Sequence, residues 1–370
     1  MRRRQCLGAW LLAAAGPGLA QAGDTVHRGA RLQFPRDHGA HPQAHIEWWY
    51  LTGDLQTEHG ARLGFQITFF RSRTGLATQL HSRFAARQLL FAHAALSDIG
   101  RRQHRHAQRS ARWSGDTQAP LAHATTHDTG LLLGGWTLQR QDHDGSSLYR
   151  TRFGSDRAAP QGFELQLELR ATQPPLLQGE HGFSRKGPDE AQASHYVSEP
   201  QLATQGWLRH DGQRHAVRGR AWLDHEWSDT LMHAEAVGWD WIGMNLDDGA
   251  ALTAFRLRRA DGSSLWAGGS WRDASGKLLS FGAGDVRFTP GREWLSPGSG
   301  ARYPLQWQID TPAGRFEVRA LFDAQELDSR AGTGTVYWEG LSELLDAHGQ
   351  RIGSGYLEMT GYAGRLRLGG

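Results

Sequence analysis

Many short stretches of the chain alternate between apolar and polar residues. In GFELQLELR, the apolar residues Phe163, Leu165, Leu167 and Leu169 alternate with polar ones. A period of two residues predicts β-strands with one buried face and one wet face. Similar stretches recur along the chain, among them ARLGFQITFF, QLLFAHAALS, ALTAFRLRR, YPLQWQI and GRFEVRALF. Because long runs with a helical period of 3.6 residues are scarce, we expect an all-β protein.

Turn signals separate these predicted strands. DDGA at 247–250 and ADGS at 260–263 have the composition of hairpin turns. A single sheet of so many strands would curl or split, which predicts two antiparallel β-barrels packed together. We place the first barrel in residues 23–230 and the second in residues 231–370.

Two segments are predicted to be loops. Residues 101–112, RRQHRHAQRSAR, are polar and basic and fit a mobile loop better than a helix. Residues 173–196 are rich in proline and glycine, which is typical of a long structured loop within the first barrel.

The N-terminus has the anatomy of a secretory signal peptide. Residues 1–22 combine a basic start, an apolar stretch and a small-residue cleavage site, AQA at 20–22. This segment is too short to span a bilayer, and no later segment is long and apolar enough to do so. We therefore expect a periplasmic or secreted protein. The adjacent Arg3 and Arg4 are compatible with a twin-arginine signal.

Cleavage of the signal peptide changes the charge balance. The full chain has 41 lysines and arginines against 38 aspartates and glutamates, and three of the arginines lie in the signal peptide. The mature protein is then formally neutral, which argues against nucleic-acid binding. Cys6, the only cysteine, also lies in this segment. No disulfide, thiolate nucleophile or cysteine metal ligand is therefore expected in the mature chain.

Several predicted strands place carboxylates next to tryptophans: IEWWY at 46–50, AWLDHEW at 221–227, GWDWIGMNLDDG at 238–249 and VYWEG at 336–340. Successive side chains of a strand point to opposite faces. In IEWWY, Glu47 and Trp49 therefore share one face, and Trp48 and Tyr50 share the other. A carboxylate is thus expected on the same wall as a large aromatic ring.

The same rule divides the next two segments. It places Asp224 and Glu226 on one face of AWLDHEW and His225 on the other. In the third segment, Trp239 and Trp241 share a face opposite to the aspartate between them.

Acids next to indole rings point to one kind of chemistry. An acid packed against such rings is poorly solvated, which raises its pKa and allows it to deliver a proton near neutral pH. Aromatic faces stabilise a developing carbocation, so these groups could hydrate or isomerise an isolated alkene. The catalytic candidates are Glu47, Asp224, His225, Glu226 and Asp240. The ligand-binding candidates are Trp48, Trp49, Tyr50, Trp227, Trp239, Trp241, Tyr337 and Trp338, with Arg185 and Lys186 for an anionic head group or for closing a ligand mouth.

Structural roles compete with this interpretation. Tryptophan and tyrosine commonly fill barrel cores, and a buried acid is commonly paired with an arginine. A metal site at His225, Glu226, His233 and Glu235 matches no strong ligand spacing. Ser184 in GFSRKG lacks the G-x-S-x-G pattern of a hydrolase elbow. We therefore predict neither a metal nor another cofactor.

Several motifs together resemble one known family: PRDHGAHPQAHIEWWYLTGDL, LGFQITFFR, FAHAALSD, LLQGEHGFSRKG, AWLDHEWS, GWDWIGMNLDDG, YWEG and SGYLEMTGY. Over residues 30–363 the chain is similar to bacterial AttH/CrtC-type lipocalin-like proteins, which include those labelled carotenoid 1,2-hydratase or hydroxyneurosporene synthase. The resemblance implies two lipocalin-like barrels and a hydrophobic ligand. The AttH name also implies association with an ABC transport system.

Two functions remain open. The first is an exported protein that binds a lipid, an isoprenoid or another apolar molecule, alone or for a transporter. The second is a hydratase or isomerase with Glu47, Asp224 or Glu226 as proton donor. The resemblance implies the hydration reaction, whereas these residues are candidates from the pattern of acids next to aromatic rings. The sequence determines neither the ligand, nor the oligomeric state, nor whether the two barrels share one site.

Overall fold

The computed structural model describes residues 25–365 except 77, 78, 80, 81, 83, 117, 120, 156–161, 231 and 331–333. The predicted signal peptide lies outside these residues. Within the described ranges, strands predominate and the only helical element is a 3-10 turn, Arg36–His38. In the same ranges, no helix is long and apolar enough to cross a membrane. The all-β prediction is confirmed.

The first sheet is a nearly closed antiparallel barrel of 13 strands. Its strands are β1 (Ile46–Thr57), β2 (Arg62–Arg73), β3 (Gln88–Asp98), β4 (Gln103–Trp113), β5 (Ala122–Ala124), β6 (Gly130–Leu133), β7 (Trp136–His143), β8 (Ser146–Gly154), β9 (Phe163–Arg170), β10 (Leu176–Leu177), β11 (Phe183–Arg185), β12 (Ala193–His210) and β13 (Gln213–Ser228). The strand order is β4-β3-β2-β1-β13-β12-β9-β8-β7-β6-β5, and the short strands β10 and β11 both pair with β12.

A second large sheet follows, with ten antiparallel strands. The remaining strands are β14 (Gly238–Leu246), β15 (Ala251–Arg258), β16 (Ser264–Arg272), β17 (Leu278–Phe281), β18 (Arg287–Pro290), β19 (Glu293–Leu295), β20 (Arg302–Pro304), β21 (Gln306–Thr311), β22 (Gly314–Ala320), β23 (Glu326–Ser329), β24 (Thr335–Leu345) and β25 (Arg351–Met359). The order in this sheet is β17-β16-β15-β14-β25-β24-β22-β21-β18, β23 pairs with β24, and β19 and β20 form a separate small sheet. The arrangement is that of two packed barrels.

The alternating pattern determines which side chains fill the core of the first barrel. Phe163, Leu165, Leu167 and Leu169 of β9 are all buried in it, while Gln166 between them is exposed. The strand therefore has the buried face and the wet face that its period of two residues predicts.

The prediction of a loop at residues 101–112 is wrong, because most of this segment forms the edge strand β4. Its inward positions include Ala107 and Ala111, which pack against the first core, and the strand ends at the buried Trp113. These alanines have small side chains and give a weak hydropathy signal, so the period of two residues is not recognisable in the sequence of β4. Arg109 lies on the same face as these alanines, where its guanidinium lies over the Trp136 ring and donates to the Gly134 carbonyl.

The two barrels meet through the outer faces of β1, β13 and β14. A separate hydrophobic cluster lies there and includes Tyr50, Trp222 and Trp241. At Gly64 the barrels approach so closely that an added Cβ would lie 2.7 Å from the Tyr356 hydroxyl and 3.0 Å from Cβ of Leu341. Glycine at this position therefore allows the contact between the barrels.

Candidate functional site

A cavity of about 110 Å³ lies between the two barrels. We call it the inter-barrel cavity. Its walls come from β1, β2, β12 and β13 of the first barrel and from β14, β15, β24 and β25 of the second. Most of the wall is apolar or aromatic: Trp48, Tyr50, Phe70, Tyr196, Met232, Trp239, Trp241, Phe255, Leu257 and Tyr337. Four carboxylates and one ammonium group also reach it, from Asp224, Glu226, Glu339, Glu358 and Lys186.

Strand pairing brings hydroxyl groups to two of these acids. In the ladder between β12 and β13, Tyr196 lies opposite Glu226, and Ser198 lies opposite Asp224. Ser194, Tyr196 and Ser198 share one face of β12 because they are two residues apart. This face therefore presents three hydroxyls to the two carboxylates.

Asp224 is buried and accepts three hydrogen bonds. Ser198 Oγ donates to Oδ1 over 2.5 Å and Trp222 Nε1 donates to the same oxygen over 2.7 Å. The Tyr196 hydroxyl donates to Oδ2 over 2.7 Å and itself accepts from Trp241 Nε1 at 3.0 Å. Burial raises the pKa of Asp224 to about 7 and outweighs these hydrogen bonds, which act in the opposite direction.

Glu226 lies on the same face of β13 and is paired with a lysine. Lys186 Nζ lies 3.0 Å from Oε1 of Glu226, and Ser194 Oγ donates to the same oxygen. The ammonium also lies over two rings, 4.5 Å from the centroid of Tyr196 and 4.3 Å from that of Phe255. One carboxylate and two aromatic faces thus hold Lys186 at the cavity wall, and Glu226 has a counter-charge.

The other two acids form a pair across neighbouring strands. Glu339 and Glu358 are directly opposite in the ladder of β24 and β25, which places their Cβ atoms about 4.5–5.5 Å apart. Burial, and then the negative charge of Glu358, raise the pKa of Glu339 well above its ordinary range. Burial also raises the pKa of Glu358 to about 7. Because two carboxylates this close repel each other when both are ionised, the pair retains a proton at neutral pH.

Two polar atoms at this end of the cavity lack hydrogen bonds. Among the described residues, neither Oε1 of Glu339 nor the Tyr50 hydroxyl has a partner at normal geometry, although the two groups interact electrostatically. Unsatisfied buried polar atoms are rare in folded proteins. Their presence beside an apolar cavity marks a place where a ligand or water can supply the missing hydrogen bonds.

Glu47 lies on the opposite face of β1 and does not reach the cavity. Arg71 Nε donates to its Oε2 over 2.8 Å, and ring nitrogens of His41 and His225 lie 2.8 and 2.9 Å from its Oε1. Burial alone would raise the pKa of Glu47, but the Arg71 guanidinium and the two histidines hold it well below its ordinary range. Glu47 is therefore a saturated ion pair inside the first barrel.

The same cluster could in principle hold a metal, since side-chain donors of His41, Glu47 and His225 lie within 4.8 Å of one another. However, the Arg71 guanidinium already contacts the carboxylate, and its charge would repel a cation. The metal site that the sequence suggested, which includes His225 and Glu226, is not formed either. These two side chains point to opposite faces of β13.

Asp240 faces away from the cavity, as do two of the candidate tryptophans. Arg256 Nε donates to Oδ2 of Asp240 over 2.7 Å, and the Tyr362 hydroxyl donates to Oδ1 over 2.9 Å. Trp49 is buried in the core of the first barrel and Trp338 in that of the second. These side chains fill and stabilise the two barrels.

Two further candidates also lie outside the cavity. Trp227 stacks on the His41 ring, with 3.7 Å between centroids. The Arg185 guanidinium lies 4.6 Å from the centroid of Trp266 and donates to backbone carbonyls of the following loop. Although Arg185 and Lys186 are adjacent in the chain, only Lys186 lines the cavity.

The structure thus divides the sequence candidates into two groups. It brings eight of them to the inter-barrel cavity: Trp48, Tyr50, Lys186, Asp224, Glu226, Trp239, Trp241 and Tyr337. The other seven lie elsewhere: Glu47, Trp49, Arg185, His225, Trp227, Asp240 and Trp338.

Sequence reasoning did not select the acid pair. Glu339 stands in VYWEG, a segment noted for its carboxylate next to a tryptophan, but it was not among the candidates. Glu358 stands in SGYLEM, where no tryptophan is adjacent. Only the pairing of β24 with β25 shows that the two belong together.

Fold and cavity define a two-barrel β-protein with an acid-lined cavity between its barrels. The family model described as AttH-like matches residues 25–362. The chain belongs to the AttH-like family, and the family resemblance of its motifs is confirmed. No curated protein matches the chain.

Solved structures show the same fold. An AttH protein of Nitrosomonas europaea is 44% identical, with a TM-score of 0.82, and the match covers 91% of this chain and 99% of that one. Kievitone hydratase of Nectria haematococca is 15% identical, with a TM-score of 0.69, over 90% of this chain and 94% of that one. CghA is 12% identical, with a TM-score of 0.52, over 89% of this chain and 95% of that one. At these identities, the last two matches show the fold alone.

Proposed function

We propose that the inter-barrel cavity binds an apolar, unsaturated molecule and adds water to it, or removes water from it, by acid–base catalysis. The observation that carries this proposal is the pair of buried carboxyl groups of Glu339 and Glu358, directly opposite each other on β24 and β25 in a largely aromatic cavity. A neutral carboxylic acid next to apolar surface can donate a proton to a carbon atom at neutral pH.

The residues that line the cavity favour an apolar substrate, and the volume of the cavity limits the size of the part of the substrate that reacts there. The cavity of about 110 Å³ is smaller than the roughly 300–1,000 Å³ of sites that enclose a whole drug-sized ligand. It therefore accommodates one double bond with its substituents. The rest of a larger substrate would extend towards the rim of the cavity.

Glu339 is the proposed proton donor, because burial and the charge of Glu358 raise its pKa well above the ordinary range. In the hydration direction, its O–H bond breaks and its proton forms a C–H bond with one alkene carbon, which leaves a carbocation. A water molecule then forms a C–O bond with the cation and gives its extra proton to an ionised carboxylate, Glu358 or Asp224. Both have pKa values of about 7, which suits a group that exchanges protons near neutral pH. Proton exchange among these acids restores Glu339.

Aromatic rings would stabilise the cation. Trp48, Trp239 and Trp241 line the same cavity, and each indole face near a cation contributes about 0.5–2 kcal/mol. Glu226 is less suited to donate a proton because its carboxylate is already paired with Lys186. Instead, this ion pair would hold one side of the cavity in place.

The name of kievitone hydratase, a structural neighbour, agrees with a hydration reaction but does not carry the proposal. We also propose that the protein acts after export, which the signal-peptide pattern of residues 1–22 supports.

A second candidate function is that of a carrier for an apolar molecule, alone or for an ABC transport system. The largely aromatic wall of the cavity favours it, since such a wall binds apolar molecules without any chemistry. The carrier and the enzyme differ in whether the bound molecule changes.

The test is incorporation of oxygen from water. Purified protein is incubated with farnesol or squalene in water enriched in oxygen-18, and the extracts are analysed by mass spectrometry. We expect a hydrated product that carries the heavy oxygen. Glu339→Gln should lower its rate about 10²- to 10⁴-fold, as loss of a general acid does.

Glu293→Gln is the matched control, because Glu293 is exposed and remote from the cavity, and it should leave the rate unchanged. If the wild-type protein binds either compound and returns it unchanged, the hydration proposal is wrong and the carrier function is favoured. Equal rates for wild type and Glu339→Gln would show that Glu339 is not the proton donor.

A further inference from the structure

A second and larger groove lies on the outside of the second barrel. Its volume is about 910 Å³, and it runs between residues 172–185 on one side and β16 and β17 on the other. Phe255 lines both this groove and the inter-barrel cavity. The groove does not contain the four acids of the cavity and is a separate site.

β16 forms the floor of the groove. Trp266, Gly268 and Arg272 share one face of this strand and line the groove, since they are an even number of residues apart. The six residue steps from Trp266 to Arg272 correspond to about 20 Å. Gly268 allows the ring of its cross-strand partner Phe255 to pack over the middle of the floor, because an added Cβ would lie only 3.0 Å from that ring. The floor is therefore long, and the apolar Phe255 ring forms its middle.

Apolar side chains form much of the groove wall. Leu176 and Phe183 line it from the first barrel, and Leu278 and Phe281 line it from the hairpin of β16 and β17. Leu278 is 41% exposed and is the cross-strand partner of Arg272. An exposed apolar side chain thus lies next to a cation at one end of the groove.

Arg272 is a buried cation, and its hydrogen-bond partners among the described residues are neutral. It is only 5% exposed, and its guanidinium donates to the Pro174 carbonyl over 2.7 Å and to the Gln173 side chain. Among the described residues, its Nε has no hydrogen-bond partner. Among the residues that the structure describes, Glu199 is the acid whose charge acts on Arg272, and the two form no ion pair. A buried charge whose hydrogen-bond partners are all neutral is costly, so the site favours an anion.

The charge of Glu199 acts on Arg272, but the Glu199 carboxylate is not a hydrogen-bond partner of the guanidinium. Burial lowers the pKa of Arg272, and the negative charge of Glu199 acts in the opposite direction. However, Oε1 of Glu199 accepts hydrogen bonds from the Tyr149 hydroxyl at 2.6 Å and from Ser147 at 3.1 Å. The Glu199 carboxylate therefore belongs to the interior of the first barrel.

We propose that this groove binds a long-chain carboxylate. Its carboxylate would bind the Arg272 guanidinium, which offers the free Nε–H as well as its Nη groups. Its hydrocarbon chain would lie along β16 from Leu278 towards Trp266. This site is independent of the proposed reaction in the inter-barrel cavity, and it gives the protein a second ligand, a long-chain carboxylate.

The test is calorimetric titration of the full chain with palmitate and, separately, with hexadecanol. We expect one palmitate per chain and weaker binding of the uncharged alcohol. Arg272→Gln should weaken palmitate binding at least tenfold, because hydrogen bonds to a charged group are lost, but should leave hexadecanol binding unchanged. Arg302→Gln is the matched control, since Arg302 is exposed and lies outside the groove.

A second variant tests the groove without touching the guanidinium. Ala274 is exposed and lines the groove near Arg272, so Ala274→Trp should block both ligands without loss of thermal stability. The proposal is overturned if palmitate does not bind saturably, or if Arg272→Gln binds it as tightly as the wild type. It is also overturned if that variant weakens palmitate and hexadecanol equally, or if hexadecyl phosphate binds where palmitate does not.

Discussion

Replacing Asp224 by asparagine should stabilise the protein at neutral and alkaline pH. Burial raises the pKa of Asp224 from 3.8 to about 7, so ionisation of this carboxyl costs more in the folded protein than in the unfolded chain. An asparagine cannot ionise. Its oxygen can accept the hydrogen bonds of Ser198 and Trp222. Its amide can donate to the Tyr196 oxygen, which reverses the present hydrogen bond and removes the acceptor of the Tyr196 O–H.

The magnitude follows from the two pKa values. A rise from 3.8 to about 7 is a difference of about three pH units, and each unit is worth about 1.4 kcal/mol, so the cost of the ionised Asp224 is at most about 4 kcal/mol. The folded protein holds the proton more tightly than the unfolded chain does. Stability contributed by the neutral acid is therefore fully present below about pH 4 and is lost as the pH rises towards 7.

Urea unfolding of the wild type and Asp224→Asn between pH 5 and 9 measures this difference. The free energy of unfolding of the variant minus that of the wild type should increase from pH 5 to about 7 and then stay constant. Asp285→Asn, the same chemical change at an exposed side chain whose hydrogen-bond donor is the Gly282 backbone N–H, should give a flat difference. The reasoning is refuted if Asp224→Asn is less stable than the wild type at pH 8, because the ionised carboxylate would then stabilise the fold.

Two further substitutions test interactions inside and between the barrels. Arg71→Met leaves the Glu47 carboxylate buried without its arginine and should lower the free energy of unfolding by about 3–5 kcal/mol. The control is Arg73→Met, at an exposed position of the same strand, which should change it by less than about 0.5 kcal/mol. Similar values for both variants would show that Arg71 is not the partner of Glu47. Tyr337→Phe removes the 2.8 Å hydrogen bond to His93 that links the two barrels. It should lower the free energy of unfolding, measured in urea, by about 1–3 kcal/mol. An unchanged urea midpoint would show that this hydrogen bond contributes nothing to stability.

The strand period correctly assigned side chains to faces, because alternation is a local property of an extended backbone. Trp48 and Tyr50 were expected on one face of β1 and Glu47 and Trp49 on the other, and the structure has them so. The failure at β4 has a local reason too. Its inward positions carry small side chains such as Ala107, which give a weak hydropathy signal.

The partners of each acid were not predictable in the same way. Glu47 and Glu339 both stand next to tryptophans in the sequence. Arg71, 24 residues away, neutralises Glu47, whereas Glu339 faces a second carboxylate, Glu358. The same local pattern thus produces a stabilising ion pair in one barrel and a proton-holding pair in the other.

The sequence by itself determined that this protein is all-β, that it belongs to the AttH-like family, and which side chains share a face. These properties depend on the period of the strand and on motifs within single segments. Only the tertiary structure decided which faces meet across the two barrels. The pKa of a carboxylate depends on burial and on charges from distant segments, so Asp224, Glu339 and Glu358 became a candidate site only once β13, β24 and β25 were brought together.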